Sequence, residues 1–276
     1  MNIIRDTVYG LISGITEFLP VSSRGHQSLM RYLFGLNARD PMLDLLVHIG
    51  ILLSVFISCR EMLLRLCRHQ RVLLTSKRRR SRMIDMKSHY NLRFLKGATM
   101  PLLIGLFLTL VTSGLENSLL AVMAFMIVNG CVLMIVEHIR HGNRDAKTMS
   151  GLDAIAIGIV GATSVLPGIS RSGMISAYAV ARGADRQNAA NWAILLGIPA
   201  LLFLIGIDVF GIVAASVGIV SFPVFAGYFL AGAAAFCGGY IGISFLQIVL
   251  NYFGFSGFAY YSFGTAFFTF VIYLIA

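Results

Sequence analysis

Two short polar stretches, each built around a proline and set in otherwise lipid-soluble sequence, constrain this chain most. The first is Gly14-Ile-Thr-Glu-Phe-Leu-Pro-Val-Ser-Ser-Arg-Gly-His26, which packs a carboxylate, two hydroxyls, a guanidinium and an imidazole into ten positions. The second is Gly161-Ala-Thr-Ser-Val-Leu-Pro-Gly-Ile-Ser-Arg171. The two align without a gap at an offset of 147, pairing Thr16 with Thr163, Pro20 with Pro167, Ser23 with Ser170 and Arg24 with Arg171. The offset continues through Arg39 and Arg186, Asp44 and Asn191, and Gly50 and Gly197. The chain has only six prolines, and arginine is costly in hydrocarbon, so these matches indicate an internal duplication.

Of the 276 residues, 57% are hydrophobic and 12% charged, and mean hydropathy is +0.81. Several apolar runs reach the roughly 20 residues that a bilayer-crossing helix needs. The expected fold is therefore an all-α polytopic membrane protein, residues 1–276 forming a single membrane domain. Spans are expected at 43–59, 97–114, 118–136, 189–209, 223–250 and 257–276. The first span is expected to remain in place and also to target the protein, because no small-residue cleavage site follows a clean apolar run near Arg5 and Asp6.

Residues 3–19 and 27–36 are too short to cross comfortably and are separated by Pro20. Residues 152–166 and 174–181 are likewise separated by Pro167. Each pair reads as a re-entrant helix–loop–helix whose tip needs protein or a wet cavity around it. Three spans lie between the two copies, an odd number, so the pairs enter from opposite faces. Repeat 1 (about 1–138) and repeat 2 (about 150–276) are then inverted, and their tips meet near the midplane, as in many transporters.

The net charge of +10 does not point to nucleic acid, because 12 of the 22 Lys and Arg fall between Arg60 and Lys96, with Lys77 to Arg82 at the centre. A basic loop over 60–96 between apolar spans belongs on the cytoplasmic side, beside anionic lipid. Cys59, Cys67, Cys131 and Cys237 have no zinc-like or disulfide spacing. His138 and His141 beside Glu137 have i, i+3 spacing but sit at a loop boundary. His48 reads as a packed, hydrogen-bonded histidine. Asp153 and Asp208 fall at span ends, where interfacial water would suffice.

Both tips set small and polar residues ahead of a short helix: Ser22, Ser23, Arg24 and Gly25, then Gly168, Ser170, Arg171, Ser172 and Gly173. Helix N-termini offer unpaired N–H groups, glycine lets the backbone approach closely, and arginine clamps phosphate with a planar fork. The ligand class is a phosphorylated lipid or another anion. Glu17, Ser23 and His26 can serve as base, nucleophile and proton shuttle, with Arg171 stabilising the transferring phosphoryl group. The structural readings stay beside these: Glu17 as an ion-pair partner for Arg24 or Arg171, and Ser22 and Ser172 as helix caps.

Glu17-Phe-Leu-Pro-Val-Ser-Ser-x-Gly-His26 together with Pro167-Gly-Ile-Ser-Arg-Ser-Gly173 resembles the undecaprenyl-diphosphatase family of the bacitracin-resistance type, over nearly the whole chain. The resemblance implies an enzyme of the bacterial inner membrane that removes one phosphate from undecaprenyl diphosphate and recycles the lipid carrier for peptidoglycan. Glu17, Ser23, His26 and Arg171 carry over as catalytic, in a site reached from the outer face. Ser22, Arg24, Gly25, Gly168, Ser170, Ser172 and Gly173 are expected to bind substrate. No metal ligand is assigned; a divalent cation, Mg2+ or Ca2+, is the only cofactor left open, and so is a homodimer. The chain departs from the family pattern at Ser13, Arg24, Gly161, Asn191 and Asp44, where acidic, Gln or small residues are usual. Fewer carboxylates and one added cation keep an alternative in view: a non-hydrolytic transporter or flippase of a polyprenyl phosphate or other phosphorylated anion.

Overall fold

The computed structural model describes residues 3–35, 39–74, 85–139, 142–215, 221–252 and 254–275, without the side chains of residues 251 and 252. Lys77, Arg78, Arg79, Arg80, Arg82 and His141, singled out above, lie outside the described residues.

Helix α1 (Ile3–Phe18) stops where Pro20 cannot continue it, and α2 (Ser23–Leu33) starts from a Ser22 cap. Helix α3 (Pro41–Ser58) has both standard start signals, an Asp40 cap and proline at its first turn. Helix α4 (Arg60–Leu73) and the first half of α5 (Met86–Leu106) occupy the segment read as a basic loop over 60–96. That expectation is corrected at both ends. Charge rules set which side of a membrane a segment prefers, and they do not prevent Arg- and Leu-rich sequence from forming an interfacial helix.

A short helix Thr109–Thr112 and a 3-10 turn Ser113–Asn117 lead to α6 (Leu119–Glu137). The second half runs through α7 (Gly151–Ala162), α8 (Arg171–Ala181), α9 (Arg186–Ala214), α10 (Phe222–Tyr252) and α11 (Ser256–Ile275). A Ser150–Asp153 capping box opens α7, and Ser170 caps α8.

Among the described residues no strand forms, and six helices are long and apolar enough to cross a membrane. Large apolar side chains face outward along them, including Met100, Ile104, Phe107, Phe229 and Phe267. This is an all-α, multi-pass membrane protein with a lipid-facing belt. The four short helices, in two pairs, form the inner part. The first helix of each pair packs on the second of the three long helices of the other half: α1 against α10, and α7 against α5. Helices α3 and α9 cross at the centre, and α6 lies on α11.

Gly10 and Gly14 let α1 lie directly on α10, because a Cβ at either would sit within 2.2 Å of the carbonyl oxygen of Ala231 or Ala235. Gly158 does the same for α7 against Ala98 of α5. Close backbone approach through small residues is how helices associate where lipid supplies no hydrophobic drive.

Candidate active site

The two proline elbows touch. Ser22 takes the left-handed conformation (φ 65°), unfavourable for a residue with a Cβ, and Gly168 on the other elbow has φ 116°. These two irregular positions hold each other. Ser22 Oγ accepts from Gly168 N at 3.0 Å and from Gly25 N at 3.2 Å. In return, the Ser170 and Ser172 hydroxyls donate to the carbonyl of Leu19 at 2.9 and 3.0 Å. Asn129 of α6 ties both together, donating to Pro20 O at 2.9 Å and accepting from Ser170 N at 3.0 Å. Backbone left without helical partners by the two breaks is thus satisfied by protein, which is the condition for irregular chain inside a membrane.

Beside this junction lies a small polar cavity of about 40 Å³, enough for a few waters. Glu17, Ser23, Arg24, Gln27, Ser170 and Arg171 line it together with Arg39, His48 and Glu116. Arg171 is buried, and its Nη1 lies 3.1 Å from Glu17 Oε1. Its Nε and Nη2 are buried without a hydrogen-bond partner among the described residues. A guanidinium with donors left over in a low-dielectric cavity is a strong anion site. Arg24 is more occupied: Nη2 donates to Thr109 Oγ1 at 3.3 Å, and Nη1 lies 3.7 Å from Glu116. Glu116 is shared with Arg31 at 2.8 Å. Arg39 bridges Asp44 at 2.7 Å and Asp208 at 2.9 Å, and Asp208 also holds His48 Nδ1 at 2.6 Å.

Set against the expectations, Glu17, Ser23, Arg24, Ser170 and Arg171 come together in one cavity. His26 does not join them. Its Nδ1 faces the Ser22 carbonyl at 2.8 Å, and its Nε2 faces the Tyr261 hydroxyl at 2.9 Å, with the two rings stacked. On α2, position 26 lies about 60° to one side of Ser23, whereas Gln27 and Arg24 lie about 40° and 100° to the other, so the His26 ring falls outside the cavity.

Ser22, Gly25, Gly168, Ser172 and Gly173, expected to bind substrate, are spent on the elbow junction. A Cβ on Gly25 would lie 3.2 Å from Gly168 Cα, and one on Gly173 would lie 3.1 Å from Pro20 Cβ. These glycines let the elbows approach each other; neither lines the cavity. Asp208 is not an interfacial residue but is 1% exposed and doubly paired, and Asp153 is a buried cap held by Arg182 at 2.7 Å. Sequence reasoning missed Glu116, Gln27 and Asn129; an acidic residue in a turn between spans was the only local hint of Glu116.

Among the described residues no three or more His, Cys, Asp or Glu side chains converge as metal ligands. The cavity carboxylates Glu17 and Glu116 are each paired with arginine, a donor set that does not fit a protein-held Mg2+ or Ca2+. Glu137 pairs with Arg186 at 3.0 Å, and His138 Nδ1 bonds the Met134 carbonyl, while His141 lies outside the described residues.

Fold and site together define an α-helical membrane protein with a buried, arginine-lined polar cavity where two broken helices meet. The family model described as "Bacitracin resistance protein BacA" matches residues 6–268. The undecaprenyl-diphosphatase of Carboxydothermus hydrogenoformans is 32% identical over 270 residues, covering 95% of this chain and 94% of that protein. The undecaprenyl-diphosphatase of Alkaliphilus metalliredigens is 32% identical over 206 residues, 73% of this chain and 74% of its own. Undecaprenyl-diphosphatase 3 of Bacillus cereus is 31% identical over 267 residues, 96% and 95% of the two chains. The chain belongs to the bacitracin-resistance BacA family.

Proposed function

We propose that this protein hydrolyses the phosphoanhydride of undecaprenyl diphosphate, releasing inorganic phosphate and leaving the lipid monophosphate for reuse in cell-wall synthesis. The observation that carries the reading is Arg171, which lines the cavity from the second elbow beside Glu17 of the first, with two N–H-bearing nitrogens unpartnered among the described residues. Oxygens of the terminal phosphate take those donors, and charge that builds up on them in the transition state is met without reorganisation. Arg24 receives the second phosphate. Ser23 supplies the attacking oxygen or holds the attacking water, and Glu17 keeps Arg171 aimed. His26 acts through Ser22, whose carbonyl it holds. The family and the shared name of the relatives support the same chemistry.

The exchanged packing of α1 on α10 and α7 on α5 supports two inverted repeats within one membrane domain, 1–138 and 150–276. With the basic segment facing the cytoplasm, the cavity end of the molecule opens outward from a bacterial inner membrane. Transport without hydrolysis draws on that packing symmetry, on Arg24 and on the missing family carboxylates, whereas the grouping of Glu17, Ser23 and Arg171 adds a reacting centre that a carrier does not need. Phosphate release from undecaprenyl or farnesyl diphosphate by the purified protein tests the proposal. Liposome translocation of polyprenyl phosphate without release would replace it with the carrier reading.

A further inference from the structure

Two imidazoles lie near the elbows, and they differ in what they have left to offer. Both ring nitrogens of His26 face oxygen partners, Ser22 O and Tyr261 OH. His48, on α3, lines the cavity itself although it is only 4% exposed. Its Nδ1 sits 2.6 Å from Oδ2 of Asp208, a residue 160 positions away on α9. An ionised carboxylate only accepts, so the neutral ring keeps its proton on Nδ1 and its lone pair on Nε2. No second hydrogen bond of His48 is present among the described residues.

The surroundings hold this dyad in place. Asp208 also takes Arg39 Nη2 at 2.9 Å, while Arg39 Nε holds Asp44, whose other oxygen accepts from the Tyr9 hydroxyl at 2.8 Å. Asp44 and Asp208 against Arg39 leave one excess negative charge beside His48. Across the cavity Glu17 faces Arg171, and Glu116 faces Arg24 and Arg31. The charged side chains around the cavity sum to zero: Arg24, Arg31, Arg39 and Arg171 against Glu17, Asp44, Glu116 and Asp208. A diphosphate entering this neutral set brings uncompensated negative charge, and an imidazolium offsets part of it.

We propose that His48, oriented by Asp208, is the proton acceptor for the hydrolysis, an inference that rests on the phosphatase reading above. Written for water as nucleophile, His48 Nε2 takes a proton as the water oxygen bonds to the terminal phosphorus. The anhydride P–O bond breaks, its electron pair leaving on the bridging oxygen of the lipid monophosphate. The proton then passes from Nε2 to a product phosphate oxygen, restoring the neutral ring. Asp208 is a positioning residue that stabilises the charged ring and keeps its tautomer.

The test is kcat and KM for phosphate release from farnesyl diphosphate, measured from about pH 5 to 9 on the full chain in lipid nanodiscs. The wild type should lose kcat as pH falls through the imidazole range. His48→Gln should lower kcat about 100-fold or more, leave KM within about threefold, and abolish that acid limb. Asp208→Asn removes the charge that favours the imidazolium, so its limb should move to lower pH, a shift that a merely structural role would not produce.

A wild type that releases phosphate while folded His48→Gln keeps kcat within about threefold and an unchanged acid limb overturns this inference alone. A wild type that releases none overturns the phosphatase reading and this inference with it. If His48→Gln does not fold, the position of the Asp208→Asn limb decides, and an unmoved limb is the contrary result.

Discussion

The two elbows descend from one pattern yet do different work. The first, Leu19 to Gly25, places its irregular backbone at Ser22 and so obtains a hydroxyl that accepts two buried N–H groups. The second, Leu166 to Gly173, places it one aligned position earlier, at Gly168, where no side chain is strained. Their arginines diverge as well. Arg24 is engaged by Thr109 and Glu116, while Arg171 meets Glu17 and keeps donors in hand. The two elbows share a sequence pattern, and their differences separate an elbow that carries the carboxylate Glu17 from one that carries the free clamp.

That division predicts unequal responses to equal substitutions. Arg171→Ala should lower kcat/KM about 1,000-fold, whereas Arg24→Ala should cost about tenfold and chiefly in KM; equal losses would break the asymmetry. Gly168→Ala places a Cβ 2.6 Å from the Val122 carbonyl at a left-handed φ. It should lower thermal stability by about 3 kcal/mol, read as a melting shift in detergent. At Gly25 the nearest atom to an added Cβ is the flexible end of Met126, so Gly25→Ala should cost about 1 kcal/mol.

Smaller effects sharpen the comparison. Ser22→Ala leaves two buried N–H groups unpaired and keeps the backbone strain, a loss of about 2 kcal/mol. Ser22→Gly relieves the strain and should lose about half as much. Glu116→Gln releases Arg24 toward the substrate and should lower KM about threefold, the smallest change and one that inorganic phosphate inhibition can also report.

Much of the scaffold could be read from the chain because the signals are local. Prolines end helices, serines cap them, and six apolar runs stand where six long apolar helices stand. The meeting of Arg24 and Arg171 in one cavity was legible because the duplication itself carried it. Other features depend on partners far away in sequence. Nothing near Glu116 shows that it closes onto Arg24 and Arg31, 92 and 85 positions earlier. Nothing near Asp208 shows that Arg39 and His48 bury it, so its place near a span end suggested water instead. Ser22, Gly25 and Gly173 show a related limit: small residues permit close approach, but sequence does not say whether a ligand or another stretch of backbone comes close.

The central claim is that the joined elbows make one phosphate-cleaving site, and inorganic phosphate release from undecaprenyl diphosphate by wild type and Arg171→Ala protein tests it most directly. The account predicts turnover by the wild type and about a 1,000-fold loss in a variant that still melts as a folded protein. Turnover by the variant equal to wild type, or none by a folded wild type, would contradict it.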